Sequence, residues 1–182
     1  MTTHIDLGSV LRQTLSASLY SNLITRPTGA AVRTQIELLL QSTERSLTVI
    51  DFSHVSMIDF SCADEVIAKL LMRDSRERES YFVFRGMTDD HWDAIEAVLE
   101  RHGLALVVER DDGVHLVGVV DERERRTFDA LKRRGRASCA ELAFELGESV
   151  AELRDALDAM WRRRLIMRRN DAYMPVGIGE VS

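Results

Sequence analysis

Residues Leu47 to Leu71 read LTVIDFSHVSMIDFSCADEVIAKLL, and three local patterns succeed one another within them. LTVIDF is apolar and rich in β-branched residues, the composition of a short strand buried on both faces. Asp51 and Ser53 then begin a polar turn. Beyond it, Ala63, Val66, Ile67, Leu70 and Leu71 fall at i, i+3, i+4, i+7 and i+8, a stripe that predicts an amphipathic helix. Ser61 stands where that helix begins. A hydroxyl there lies beside unpaired backbone N–H groups and the positive end of a helix dipole, a setting that tolerates a phosphate. Asp59 and Ser61 are equally ordinary helix caps.

Strand and helix alternate on either side of this stretch. Pro27 suits a first helical turn, and Val32, Ile36, Leu39 and Leu40 follow at helical spacing, so residues 28–42 read as a helix. A polar break, Gln41 to Ser46, precedes the strand. The charged run Arg73 to Glu79 ends the next helix, and YFVF (81–84) is the next strand. A third helix is capped near Thr88 or Asp89, turns Trp92, Ile95, Val98 and Leu99 inward, and closes at Gly103. ALVV, the turn Asp111-Asp112-Gly113 and VHLVGVV predict a hairpin over 104–120. Residues 5–24 read two ways, IDLGSV as a short strand and VLRQTLSASLYSNLI as a helix or a bulged strand. The alternation over 28–109 predicts an α/β layer with helices packed on a largely open sheet. No GxGxxG or GxxxxGK[ST] follows any strand, which argues against a nucleotide-binding fold.

The segment 47–71 resembles the central segment of STAS domains, the family of the bacterial anti-sigma factor antagonists. That family's pattern runs strand, Asp-Phe-x-x-Val, then Ile-Asp-x-Ser at a helix start. Here the match falls on Asp51, Phe52, Val55, Ile58, Asp59 and Ser61. The resemblance implies a STAS-like α/β domain over 1–120 that binds a protein partner, an anti-sigma-type kinase or another regulator, and carries out no catalysis. It implies Ser61 as the phosphorylated switch, with Asp59, Cys62, Asp64 and Glu65 forming the partner surface around it. A phosphate adds about −1.5 to −2 charges, and Asp59, Asp64 and Glu65 would add like-charge repulsion. Phe60 and Cys62 depart from the small residues common beside that serine. Ala63-Asp64-Glu65 is more similar to a STAS-like branch whose helix starts Ala-Asp-Glu, for which a docking surface is implied and a phosphoserine is not. Cys62 reads as a small buried residue rather than a redox sensor, because the neighbouring carboxylates oppose a thiolate. Arg26 and Arg33 flank the helix start Pro27-Thr28-Gly29 and are candidates for an anion or surface contact, a solvated Arg pair being the plainer reading.

The charged stretch Asp121 to Arg126 marks a boundary, and the pattern beyond it changes. Phe128 and Leu131 anchor one helix, closed by Gly135. Ser138 caps a second helix carrying Leu142, Ala143 and Leu146, closed by Gly147. Ser149 and Glu152 form a capping box for a third, with Val150, Leu153, Leu157 and Met160 inward. LIMRR, Asn170-Asp171 and AYMPV make a hairpin. This order over 123–176 resembles a winged-helix domain and sets residues 121–182 apart as a second domain. Used on DNA, such a domain would rely on Arg154, Arg168 and Arg169. Glu152, Asp155 and Asp158 share the would-be recognition helix and would repel the phosphate backbone, so protein docking ranks ahead of DNA binding.

Composition fits this reading. The net charge is −6 over 182 residues, but residues 1–120 carry 11 Lys/Arg against 18 Asp/Glu, whereas 121–182 carry 13 against 12. The front segment would repel nucleic acid at long range. Two distant cysteines, no signal peptide and no long apolar run point to a reduced, cytoplasmic setting without a membrane partner. The five histidines form no HExxH, and no triad signature or cofactor loop occurs, so no metal, cofactor or enzymatic activity is expected.

Overall fold

The computed structural model describes residues 2–17, 21–41, 47–73 and 80–177; most of the polar break (42–46) and of the charged run (74–79) lies outside them. The ambiguous start resolves into a strand, β1 (Thr3–Asp6), followed at once by a helix, α1 (Leu7–Leu15). Asp6 makes the switch: its carboxylate accepts the Ser9 N–H at 3.2 Å and caps the helix. Then come β2 (Asn22–Leu23), α2 (Arg26–Gln41), β3 (Leu47–Asp51) and β4 (Met57–Ile58). A composite helix follows, built of α3 (Phe60–Ala63), a π-helical stretch (Asp64–Ala68) and α4 (Lys69–Met72). β5 (Tyr81–Arg85), α5 (Asp89–His102), β6 (Ala105–Arg110) and β7 (Gly113–Gly118) complete the first segment.

The main sheet has the order β1-β3-β5-β6-β7, with the first four strands parallel and β7 antiparallel to β6. Parallel neighbours need crossovers, and the crossovers here are the helical segments. Because the strands are laid down in sequence order in one direction, crossovers of the usual right-handed sense put every helix on the same face. The two-residue strands β2 and β4 pair in parallel beside the composite helix.

Strand alternation then builds two cores from one sheet. Ile50, Phe82, Phe84, Leu106 and Val108 point toward the helices. Leu47, Val49, Tyr81, Val83, Val107 and Leu116 point the other way. That second face is covered by the C-terminal segment. That segment comprises α6 (Glu122–Arg134), β8 (Ala137–Ser138), α7 (Cys139–Leu146), α8 (Val150–Arg162), β9 (Ile166–Arg169) and β10 (Ala172–Pro175). Its strands form an antiparallel sheet ordered β8-β10-β9.

Phe128, Leu131, Leu142, Leu157, Met160 and Ile166 from this segment share one buried layer with the second sheet face. Polar contacts fix the register of the two. Trp161 Nε1 donates to the Tyr81 hydroxyl at 3.0 Å, Arg164 donates to the Arg73 carbonyl at 2.9 Å, and Arg163, oriented by Glu124 of its own segment, donates to the Val119 carbonyl. Reciprocal capping boxes at Asp121/Glu124 and Ser138/Glu141 start α6 and α7, each cap contributing about 1 kcal/mol. The chain is therefore an α/β protein in layers, with helices on one face of a mainly parallel sheet and a helical segment with a small antiparallel sheet on the other.

Candidate functional site

Asp59 is the N-cap of α3, with extended backbone angles (φ −91, ψ 168) and a carboxylate that reaches three donors. Oδ1 accepts the Cys62 N–H and the Ser61 hydroxyl, both at 2.8 Å. Oδ2 accepts the Thr25 N–H at 3.0 Å, and Thr25 is the residue immediately before α2. Burial works against charge on Asp59, but these hydrogen bonds outweigh it and hold its carboxyl below the ordinary value. Ser61 is half-buried with its proton committed to Asp59.

Thr25 is held from both sides. Its carbonyl accepts the Cys62 thiol at 2.9 Å as well as the Gly29 N–H at 3.2 Å. Its φ is +72, the left-handed region that β-branched residues avoid. Such a conformation costs on the order of 1–3 kcal/mol and persists only where the surroundings impose it. Asp59 and Cys62 supply that imposition, so the starts of α2 and α3 form one bracket. The Cys62 thiol itself is fully buried and pushed up to about 12, by burial and then by the charge of Asp59. It acts as a weak donor and packing group, not a nucleophile.

Asp64 and Glu65, placed by sequence on the partner surface, are 8% and 2% exposed. All residues from 62 to 68 are buried, because the composite helix is the central one of its layer, touching both α2 and α5. Their carboxylates are met by partners from three elements. Arg26 Nη1 lies 2.7 Å from Asp64 and 2.8 Å from Glu65. Arg33 Nε reaches the other Glu65 oxygen at 3.3 Å and its Nη1 pairs with Glu37 at 2.9 Å. Lys69 bonds Glu65 from one turn further along, and His102 Nε2 stands 2.7 Å from Asp64. Burial opposes ionisation of both carboxyls, yet Arg26 and His102 on Asp64, and Lys69, Arg26 and Arg33 on Glu65, hold them below their usual values.

Arg26 and Arg33 are therefore engaged by carboxylates of the same chain, and Asp64 and Glu65 carry neutralised charge. The helices approach closely where they meet: a Cβ on Gly29 would sit 2.9 Å from the Cys62 Cα and 3.1 Å from the Glu65 Cβ. Only glycine fits there.

Around Ser61 the surface is mixed. Phe60 carries the Arg101 guanidinium over its ring at 5.5 Å, a cation–π contact beside the serine. Met57, on β4 two residues before Asp59, is 53% exposed. Neither residue stands out in the sequence as functional. Met57 is marked only by alternation with buried Ile58, and Arg101 by nothing local, since α5 brings it in from forty residues away.

A second polar cluster lies at the carboxyl ends of the strands. Asp51 accepts the Ser53 hydroxyl at 2.6 Å and Arg85 Nε at 2.9 Å, and Asp6 lies 3.0 Å from His54 Nδ1. Ser53 and His54 make no hydrogen bond with one another among the described contacts. No group of three or more His, Cys, Asp or Glu residues that could hold a metal occurs among the described residues. No helix among them is long and apolar enough to cross a membrane.

In the C-terminal segment, Arg154, Arg168 and Arg169 are all exposed. Arg168 is 3.6 Å from Asp158 and stacks over Trp161 at 5.6 Å, while Arg133 and Arg134 both pair with Glu145. No known protein family matches the chain, and no curated protein is significantly similar to it.

Proposed function

We propose that this chain is a non-catalytic regulatory protein whose STAS-like layer binds a protein partner at the β4–α3 surface, with Ser61 as the switch. The observation that carries this reading is the Asp59 carboxylate, shared by Ser61, Cys62 and Thr25. Phosphate on Ser61 would remove the donor at 2.8 Å and set a second anion beside an ionised carboxylate. Asp59 would then be driven off its amides, and Thr25, held at positive φ by that bracket, would relax. The consequence is a change in α2 as well as α3, so a partner spanning Met57, Phe60 and Ser61 would lose both its charge match and its shape match. In this reading Asp64, Glu65, Arg26 and Arg33 support the surface from beneath and do not touch the partner.

The C-terminal segment acts as a winged-helix-like docking module. DNA binding by it is the weaker alternative, because Asp158 engages Arg168 and the exposed face of α8 carries Glu152 and Asp155. The test is quantitative affinity capture from the native cell using wild type, Ser61→Ala and Ser61→Asp. A protein recovered with wild type and Ser61→Ala and lost with Ser61→Asp supports the switch. Equal recovery on all three, or none on any, sinks it.

A further inference from the structure

Arg26 is anchored by one edge of its guanidinium. Nη1 alone serves both carboxylates, 2.7 Å from Asp64 and 2.8 Å from Glu65, while Nε and Nη2 donate to no group among the described residues. The side chain is 48% exposed. A guanidinium carries five N–H donors in a planar fork that matches the oxygens of a phosphate. Arg33, by contrast, spends Nε on Glu65 and Nη1 on Glu37. Two routes place the Arg26 fork beside Ser61. Along the helix, the Asp64 N–H bonds the carbonyls of Phe60 and Ser61, so Ser61 and the two carboxylates stand one turn apart on one face, with Cβ atoms about 5–6 Å apart. Across the junction, Asp59 takes the Ser61 hydroxyl on one oxygen and, on the other, the N–H of Thr25, the residue before Arg26. Arg101 is a rival cation, over the Phe60 ring at 5.5 Å. Successive helical side chains diverge by about 100°, so Arg101 is engaged on a different face from that of Ser61.

We propose that Arg26 is the internal receptor of a phosphate on Ser61, exchanging Asp64 and Glu65 for the phosphoryl oxygens. Neither carboxylate depends on Arg26 alone: His102 remains on Asp64, and Lys69 and Arg33 remain on Glu65. A phosphate of about −1.5 to −2 charges attracts the guanidinium more strongly than one carboxylate does. Thr25, once Asp59 is driven from its N–H, leaves the start of α2 free to follow. Arg26 is the first residue of α2, so the modification is felt there as a displacement and not only as a charge. The inference rests on the reading of Ser61 as the switch and names the side chain through which α2 responds.

The experiment is a phosphorus NMR titration of the full chain with phosphoserine placed at position 61 during translation, no partner added, and circular dichroism to confirm folding. Asp59, Asp64, Glu65, Lys69, Arg101 and His102 surround the phosphate in wild type and in Arg26→Met alike, so the difference between the two isolates Arg26. The second acid dissociation constant of the phosphate is expected to be at least about threefold larger in wild type than in Arg26→Met, and Arg101→Met is expected to match wild type. In wild type itself, the Arg26 guanidinium protons should exchange with water more slowly with the phosphate than without it, a readout that stands even where Arg26→Met does not fold. Equal titration of wild type and Arg26→Met, the change appearing in Arg101→Met instead, or guanidinium exchange unmoved by the phosphate would overturn the proposal. A phosphate seated on Arg26 that leaves partner recovery unaltered would refute the switch and leave this contact standing.

Discussion

Thr25 shows how much of this site is decided by single groups acting at a distance in sequence. Its positive φ, its N–H and its carbonyl are all accounted for by Asp59 and Cys62, 34 and 37 residues away. Nothing in the local sequence ITRPTG announces that conformation, whereas Asp59 and Ser61 are legible as cap residues because capping is a short-range property. The same division separates the partners of Glu65. Lys69 is readable as an i,i+4 neighbour, but Arg26 and Arg33 become its partners only once α2 lies against the composite helix. Removing the Glu65 charge leaves Arg26, Arg33 and Lys69, themselves a quarter to a half exposed, without their shared anion. Glu65→Gln should therefore destabilise the chain by about 1–2 kcal/mol, solvent screening of the cations reducing the loss expected of a fully buried pair, read as a lowered urea midpoint with an unchanged slope. A loss below about 0.5 kcal/mol, the range of ordinary surface substitutions, would show that the network holds nothing together.

At the scale of elements, the alternation of strand and helix was readable because hydrophobic period is set by backbone geometry. Two features were not. The π-helical stretch Asp64–Ala68 buries polar residues that a 3.6-residue stripe would leave outside, and only the flanking α2 and α5 explain it. The β1–α1 junction was ambiguous because its deciding signal is one capping carboxylate, Asp6. The carboxylates that join elements make stability depend on pH. Asp51, Asp59, Asp64 and Glu65 all lie below their ordinary values, burial being outweighed in each by hydrogen bonds and, for all but Asp59, by cations. Groups lowered in the folded state add stability that is complete above the unfolded pKa of about 4. That stability is lost as pH falls through their lower folded values. The urea midpoint should thus hold between pH 7 and about 5 and drop steadily below it. Asp64→Asn should flatten the drop, and a midpoint that rises on acidification would contradict the assignment.

Across the whole molecule, the decisive fact is that both faces of one sheet are covered. The sequence shows a change of pattern near residue 121, and that change is real in the element order. It hides the packing, because apolar residues at 47, 49, 81 and 83 read simply as strand interior. Which face they occupy, and what covers it, depends on residues beyond 121. Sharing one buried layer should make the two segments unfold together. Trp92 packs against the helix-side core and Trp161 against the other, so each reports one side. Chains carrying only one of the two tryptophans should give coincident urea transitions. Earlier loss of the Trp161 signal would mean that the C-terminal segment melts by itself. A negative charge at position 61 should be felt in α2 through Asp59. Residue-resolved amide hydrogen exchange on wild type and Ser61→Asp measures this directly. The prediction is faster exchange at Thr25 and Cys62, with the central strands and the C-terminal segment unchanged; unaltered protection at both amides would contradict it.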